Sequence, residues 1–479
     1  EEEEEVEVPR EGDEGGAGGD AHHHQLGSDM EVEVLRRIAE TLAHNDCLDI
    51  CIDIFVKVRY RAAAKALLRL SPDYLRRYAP EDVDAMEWES LESAVSLWLR
   101  HLHVAVLGVL AAERRLCGRV LAAAVGDEVW PECFAKVADK IMAVFFRFGE
   151  GVARSAKHPH KLFKLLDMSA SLDRMHPAFA GTFDGPAGGD IRGRFRELQK
   201  LLVHAAAKVF WEFGLQIEGS LDGAPPPPDA SVPKLVRYTV NYLKCLAGEG
   251  YSGAMGKVLR TQQAWNAGAS PGPAASDEAL LRDAMASVMD ALCRNVEAKR
   301  SLYDDRVLPH VLAMNTYWYV YTRTRGTELG RLLGDHTLRK RYKATAEAAA
   351  YSYQSQAWGP LVKLLERGEA PDRRRATTRG AAAAVAARKK VEAFLERLEG
   401  GLRWHEGRYC IPDEDLREQV REAVTELVVT AYAGFLRAHA SALQEGPASL
   451  PAPDSVGRML AQLFDGKDQK GLLHHGGRR

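Results

Sequence analysis

From Val34 almost to the end of the chain, apolar residues return three and four positions apart, and no long alternating apolar-polar run sits between hairpin turns. That pattern is the period of an amphipathic helix and excludes a sheet. Leu35, Ile38 and Leu42 open it, and Ile50, Ile54 and Val58 continue it. Ser71-Pro72 and Ala79-Pro80 interrupt it, Trp88 to Ala124 restores it, and Trp130-Pro131 starts a new helix with proline in its first turn. Later breaks fall at 181–190, 219–233 with its run Pro225 to Pro228, 268–276, 368–380 and 444–453. No fixed-period repeat accompanies them, so the expected fold is all-α, a series of irregular helical bundles.

A chain of 479 residues is long enough to bury several cores. The breaks predict an acidic tail over 1–29, helical bundles over 30–126, 127–228 and 229–370, a basic mobile loop over 371–390 and a final bundle over 391–479. The tail is a glutamate run followed by Gly and Asp, too poor in apolar surface to offset the entropy of ordering, and is expected to be disordered. His22, His23 and His24 lie inside it and are read as linker rather than as a metal site. Residues 1–30 carry eleven acids against Arg10 alone, so the formal charge of −3 conceals a body of about +7. That excess is mild and falls well short of a nucleic-acid-binding stripe.

Seven cysteines, Cys47, Cys51, Cys117, Cys133, Cys245, Cys293 and Cys410, are scattered and odd in number, mostly within apolar helical patterns. They read as reduced core residues of a cytoplasmic protein. Cys47 and Cys51 share a helix face, but no second Cys/His pair stands at zinc-finger spacing. No basic region followed by an apolar core opens the chain, so no secretory signal is expected. The most apolar stretch, Val104 to Ala112, is bounded by His101, His103 and Glu113. It falls short of the ~20 residues that span a bilayer and reads as a buried core helix.

Signatures of catalysis fail on context. Gly248, Gly250 and Gly253 have the spacing of a dinucleotide loop, yet a helical segment, Val232 to Leu246, precedes them where a strand is required. Gly256-Lys257 lacks the upstream glycine and the following Ser/Thr of a phosphate-binding loop. His44, His204 and His439 lie on helical patterns without placed carboxylates. A non-enzyme without cofactor or metal is therefore expected, with a nucleotide-binding enzyme a distant third reading.

Surface chemistry offers two candidates. Arg323 to Lys343 holds seven bases against two acids, Arg339, Lys340 and Arg341 among them; 367–390 holds eight against two, including Arg373, Arg374, Arg375, Arg388, Lys389 and Lys390. Such clusters suit acidic lipid, at about 1 kcal/mol per base beside a charged bilayer. The second candidate is the aromatic cluster Tyr317, Trp318, Tyr319 and Tyr321. Its residues point in successive directions about 100° apart, so one ring faces away from its own bundle, and Tyr317, Trp318 and Tyr321 form a candidate protein-partner surface.

Several stretches, in order, resemble the seventy-kilodalton subunit family of the plant exocyst. They include Phe148-Gly149-Glu150, Lys161 to Met168, and Arg237-Tyr238 with Asn241-Tyr242-Leu243. The strongest block is Asn295 to Lys299 with Leu302-Tyr303, Met314-Asn315, Glu328-Leu329 and Leu332 to Asp335. Tyr353-Gln354, Ala357-Trp358, Pro412-Asp413, Ala431-Tyr432 and Leu463 to Gly466 complete it. The resemblance implies an elongated rod of stacked helical bundles and a non-catalytic role in vesicle tethering and exocytosis at the plasma membrane. It also implies partners among other exocyst subunits, with phosphoinositides, small GTPases and pathogen effectors for various members; the alternative is a peripheral membrane or immune adaptor module working outside the complex. Lipid-binding members carry lysines before the last helix, whereas Leu450 to Ser455 holds none. Only the tail precedes Val34, so the portion that docks on the rest of the complex is expected to be shortened.

Overall fold

The computed structural model describes residues 29–156, 158–219, 225–267, 275–366, 380–405, 408–443 and 450–464. Every regular element among them is helical, and no strand is present among the described residues. The expected tail, with His22, His23 and His24, lies outside them, as do 367–379 of the basic segment. Contacts gather the chain into two compact units. One contains residues up to Ala156 together with Ser171–Leu201, the other Lys157–Ala170 and Leu202 onward. These units are larger than the bundles read from the sequence, and the Lys161–Thr182 and Gly189–Glu218 helices lend residues to both.

In the first unit, Asp29–His44 and Leu48–Leu68 are joined by a turn in which Asp46 takes a left-handed φ of 54°, a conformation that aspartate tolerates. They pack against Trp88–Val125 and Trp130–Arg154. The Trp130–Arg154 helix buries Phe134, Val137, Ala138, Ile141, Phe145 and Phe148, spaced three and four apart. Trp98, fully buried, donates its indole N–H to Phe145 O at 3.0 Å. Gly151 lies so close to Tyr78 O that a Cβ there would overlap the carbonyl.

The apolar stretch at Val104 belongs to a longer object than its composition suggested. Trp88–Val125 is one continuous helix of 38 residues, long and apolar enough by length and composition to cross a membrane. Its middle, Val104–Leu110, widens into π-helical turns. Trp98, Leu102, Ala105, Val106, Leu110 and Leu121 are sealed inside the unit, which is the burial of a core helix. On the same helix, Glu113 is buried at 1% side-chain exposure and is held by Arg59 at 15%. Arg59 Nε and Nη2 donate to the two carboxylate oxygens at 2.8 and 2.6 Å, a planar fork on a planar acceptor.

In the second unit, Leu308–Thr324 is the central helix, packed against 344–357, 338–343, Asp277–Arg300 and Lys234–Ala247. Residues expected in a mobile loop at 380–390 are instead the first turns of Gly380–His405. The run of alanines there, the best helix formers, accounts for the extension. Of the dinucleotide-like glycines, Gly248 and Gly250 sit between helices, where Lys234–Ala247 ends and Ser252–Ala267 follows, and Gly253 lies in the first turn of the latter. Gly256 lies flush against Asp277, 2.8 Å from an added Cβ to Asp277 Cβ, which gives it a packing role.

Removing one member of a buried ion pair strands the other. Arg59→Ala is expected to cost about 3 kcal/mol of unfolding free energy, whereas Arg59→Met with Glu113→Leu recovers most of it. Urea denaturation of the two variants measures the difference.

Candidate functional site

Leu308–Thr324 is apolar on every side, and residues 311–318 are all buried. Such a helix has to be enclosed. This corrects the expected partner surface: Tyr317 and Trp318 are 5% and 6% exposed, because neighbouring helices surround the ring of aromatics. Tyr317 donates its hydroxyl to Glu297 at 2.7 Å. Trp318 donates its indole N–H to Asp413 Oδ1 at 2.8 Å, and the same carboxylate caps Glu414–Ala438 by accepting from Leu416 N at 3.1 Å. Asn315 donates to Ala230 O at 2.8 Å and Cys410 O at 2.6 Å. One helix thus fastens two irregular segments, one after the proline run and one ahead of Asp413.

Tyr319 and Tyr321 are half-buried and carry guanidinium groups over their faces, Arg323 at 5.7 Å and Arg325 at 5.5 Å from the ring centroids. The π-helical turns Leu338–Lys343 pack on the same central helix. There Leu338 and Tyr342 point inward while Arg339, Lys340 and Arg341 are exposed. Arg341 is taken by Asp290 at 2.6 Å; Arg339 and Lys340 have no ion pair among the described residues. Of the second basic group, Arg388 donates to Leu443 O at 3.2 Å, Lys389 is exposed, Lys390 is half-buried, and Arg373, Arg374 and Arg375 lie outside the described residues. The cations read as one class from the sequence therefore separate into structural arginines and exposed, solvent-facing ones.

The sequence reading passed over a buried histidine. His405 stacks on Trp358 at 4.8 Å between centroids and is edged by Tyr353, Trp404 and Tyr409. Its Nδ1 lies 2.7 Å from Gly401 O, which makes that nitrogen the donor, and Nε2 is buried without a partner. Burial pushes its pKa down to about 4, against the opposing pull of the Gly401 carbonyl. A lone histidine before two unremarkable residues carries no signal of such a cage.

Among the described residues no three His, Cys, Asp or Glu side chains gather as a metal site, and Cys47 and Cys51 are half-buried free thiols. Cys117 and Cys133 are buried as expected, whereas Cys245 is exposed. His44 and His439 each turn Nδ1 to a carbonyl one helical turn back.

The described elements define an all-helical protein. The family defined by the C-terminal region of the Exo70 component of the exocyst complex matches residues 96–462. The exocyst complex component EXO70I of Medicago truncatula is 50% identical over 457 residues, covering 95% of this chain. EXO70A1 of Arabidopsis thaliana is 26% identical over 87% of it. The chain spans 64% of the length of each of these relatives. Solved structures of S. cerevisiae Exo70 share the fold: one superposes with a TM-score of 0.57 at 15% identity, covering 91% of this chain and 80% of that one. The chain belongs to the Exo70 family, and the relatives named here are exocyst complex components.

Two outcomes follow from this geometry. Asp413→Ala removes both a helix cap and the Trp318 partner, and is expected to lower unfolding free energy by about 2 kcal/mol, measured by chemical denaturation. For His405, the unfolded chain takes up a proton near pH 6.5 and the folded chain only near 4. Stability should therefore rise with pH across that window, by about 3 kcal/mol, and level off above it. In His405→Gln that component of the slope should vanish when denaturation midpoints are compared at several pH values.

Proposed function

We propose that this chain acts as an exocyst subunit in vesicle tethering, working through protein contacts and a peripheral contact with anionic membrane rather than through catalysis. The observation that carries this reading is the family match over residues 96–462, together with 50% identity to an exocyst component. Its partners are then other exocyst subunits, and its place is the cytoplasmic face of the vesicle or plasma membrane. Phosphoinositide headgroups suit Arg339 and Lys340, which are exposed and have no ion pair among the described residues. Lys389 and the arginines 373–375 belong to the same proposal. Small GTPases and pathogen effectors, which the family resemblance implied, would need a different face, and Tyr319 and Tyr321 are the half-exposed members of the aromatic cluster left to serve it.

Co-precipitation with the other exocyst subunits tests the tethering reading: the chain should retain at least one, and failure with all of them would sink it. Vesicle sedimentation tests the lipid contact. Binding should rise with phosphoinositide content and weaken with salt, since exposed charges are screened over about 8 Å at physiological ionic strength. Arg339→Glu with Lys340→Glu is expected to weaken it by roughly tenfold or more. Reversal of Arg373, Arg374 and Arg375, measured alongside, tells whether that segment contributes.

A further inference from the structure

The side of Trp130–Arg154 turned away from the core carries a row of bases. Lys136, Lys140, Arg147 and Arg154 fall within about 40° of one another around the helix, over a rise of about 27 Å. The first three are exposed and have no ion pair among the described residues, while Arg154 has Glu150 at 3.2 Å. Rings from other elements position two of them: Lys140 Nζ lies 5.7 Å from the Tyr60 centroid and the Arg147 guanidinium 5.3 Å from that of Tyr78. Such contacts hold a cation in place without neutralising it. Neighbouring acids are already engaged, Asp139 by Arg194 at 3.6 Å, Asp53 by Lys57 at 2.6 Å and Asp73 by Arg76 at 3.4 Å, and exposed Glu132 stands only at the start of the row.

We propose that the acidic segment 1–28 of the same chain lies along this row. Charge complementarity selects the occupant, since the segment carries ten acids against Arg10 alone, beginning with Glu1 to Glu5 and Glu7. In extended chain, alternate residues share a side about 6.8 Å apart, so Glu1, Glu3, Glu5 and Glu7 make a row of about 20 Å, beside a rise of about 16 Å from Lys136 to Arg147. The path is short enough. Asp29 is held by Arg119 at 2.6 Å on Trp88–Val125, and that helix packs against Trp130–Arg154. The segment therefore joins the unit about two helix spacings, roughly 20 Å, from the row. Asp29 follows Glu7 by 22 residues, Gly15, Gly16, Gly18 and Gly19 among them, and a glycine-rich chain of that length spans about 25 Å on average. Tethering makes the encounter intramolecular, at an effective concentration in the millimolar range, so individually weak exposed pairs suffice.

Zero-length carbodiimide coupling on the dilute full chain, read by mass spectrometry, joins carboxylates to amines in direct contact. Products linking residues 1–7 to Lys136 or Lys140 are expected, and they should vanish in 1 M salt, where screening shortens to about 3 Å. Trypsin gives a second readout, because Arg10 is the only Lys or Arg in 1–28. In Lys136→Glu with Lys140→Glu, Arg10 should be cut roughly fivefold faster than in the wild type at low salt, the worth of two exposed ion pairs, and equally fast in 1 M salt. Lys136→Arg with Lys140→Arg should keep the wild-type rate, and Lys136→Glu alone, which disturbs neither tyrosine contact, should give part of the increase. Coupling that misses both lysines, or that favours Lys65 on the neighbouring helix, overturns the proposal. A cleavage rate indifferent to the charge reversal does so too, and if that reversal then weakens sedimentation with anionic vesicles, the row serves a membrane instead.

Discussion

A helix with no polar face cannot stand at a surface, and in the second unit much of the packing follows from that constraint on Leu308–Thr324. Its side chains demand neighbours on several sides, and the neighbours arrive from both before and after it in sequence. Apolar contact alone would leave their irregular ends unspecified. Asn315 supplies specificity by giving its amide to carbonyls of two segments far apart in the chain, and Trp318 adds a bond to the residue that starts another helix. The two bonds donated by the Asn315 amide nitrogen fix an arrangement that oily packing leaves open, while its Oδ1 is buried without a partner.

The helical class was plain from the sequence because periodicity is local: each of the apolar rows at Leu35, Ile50 and Trp130 announces its own helix. Which row faces the core is not local. Ile50, Ile54 and Val58 marked the apolar row of a helix in the sequence and are exposed, while Ala63 and Leu67 face inward. Tyr317 and Trp318 erred in the other direction, because a count of rings on one helix says nothing about how many helices will surround it. Asn295, Asn315 and Asp413 were noticed only as carriers of a family likeness, and each turns out to hold a carbonyl, an indole or a helix start. His405 was overlooked because its cage is assembled from residues as distant as Tyr353 and Trp358.

The two kinds of arginine illustrate why charge counted along a chain is a poor guide to charge presented by a fold. Arg59 is consumed by a buried carboxylate, Arg341 by Asp290 and Arg388 by a carbonyl, while Arg339 two positions before Arg341 stays exposed. Arg323 and Arg325 are intermediate, resting on tyrosine faces that soften their hydration without neutralising them. The charge that the surface presents is defined by this residue-by-residue sorting.

The π-helical turns at Val104–Leu110 and Leu338–Lys343 have a genealogical meaning as well. A turn closed from i to i+5 holds one residue more than an α-turn over nearly the same rise, so it stores an insertion without re-aiming the helix on either side. In a continuous helix of 38 residues whose two ends face different neighbours, that reserve separates chain length from facing. Descendants of this sequence have places where a codon can be gained or lost at the cost of one strained turn, and the buried rows on both sides would keep their partners.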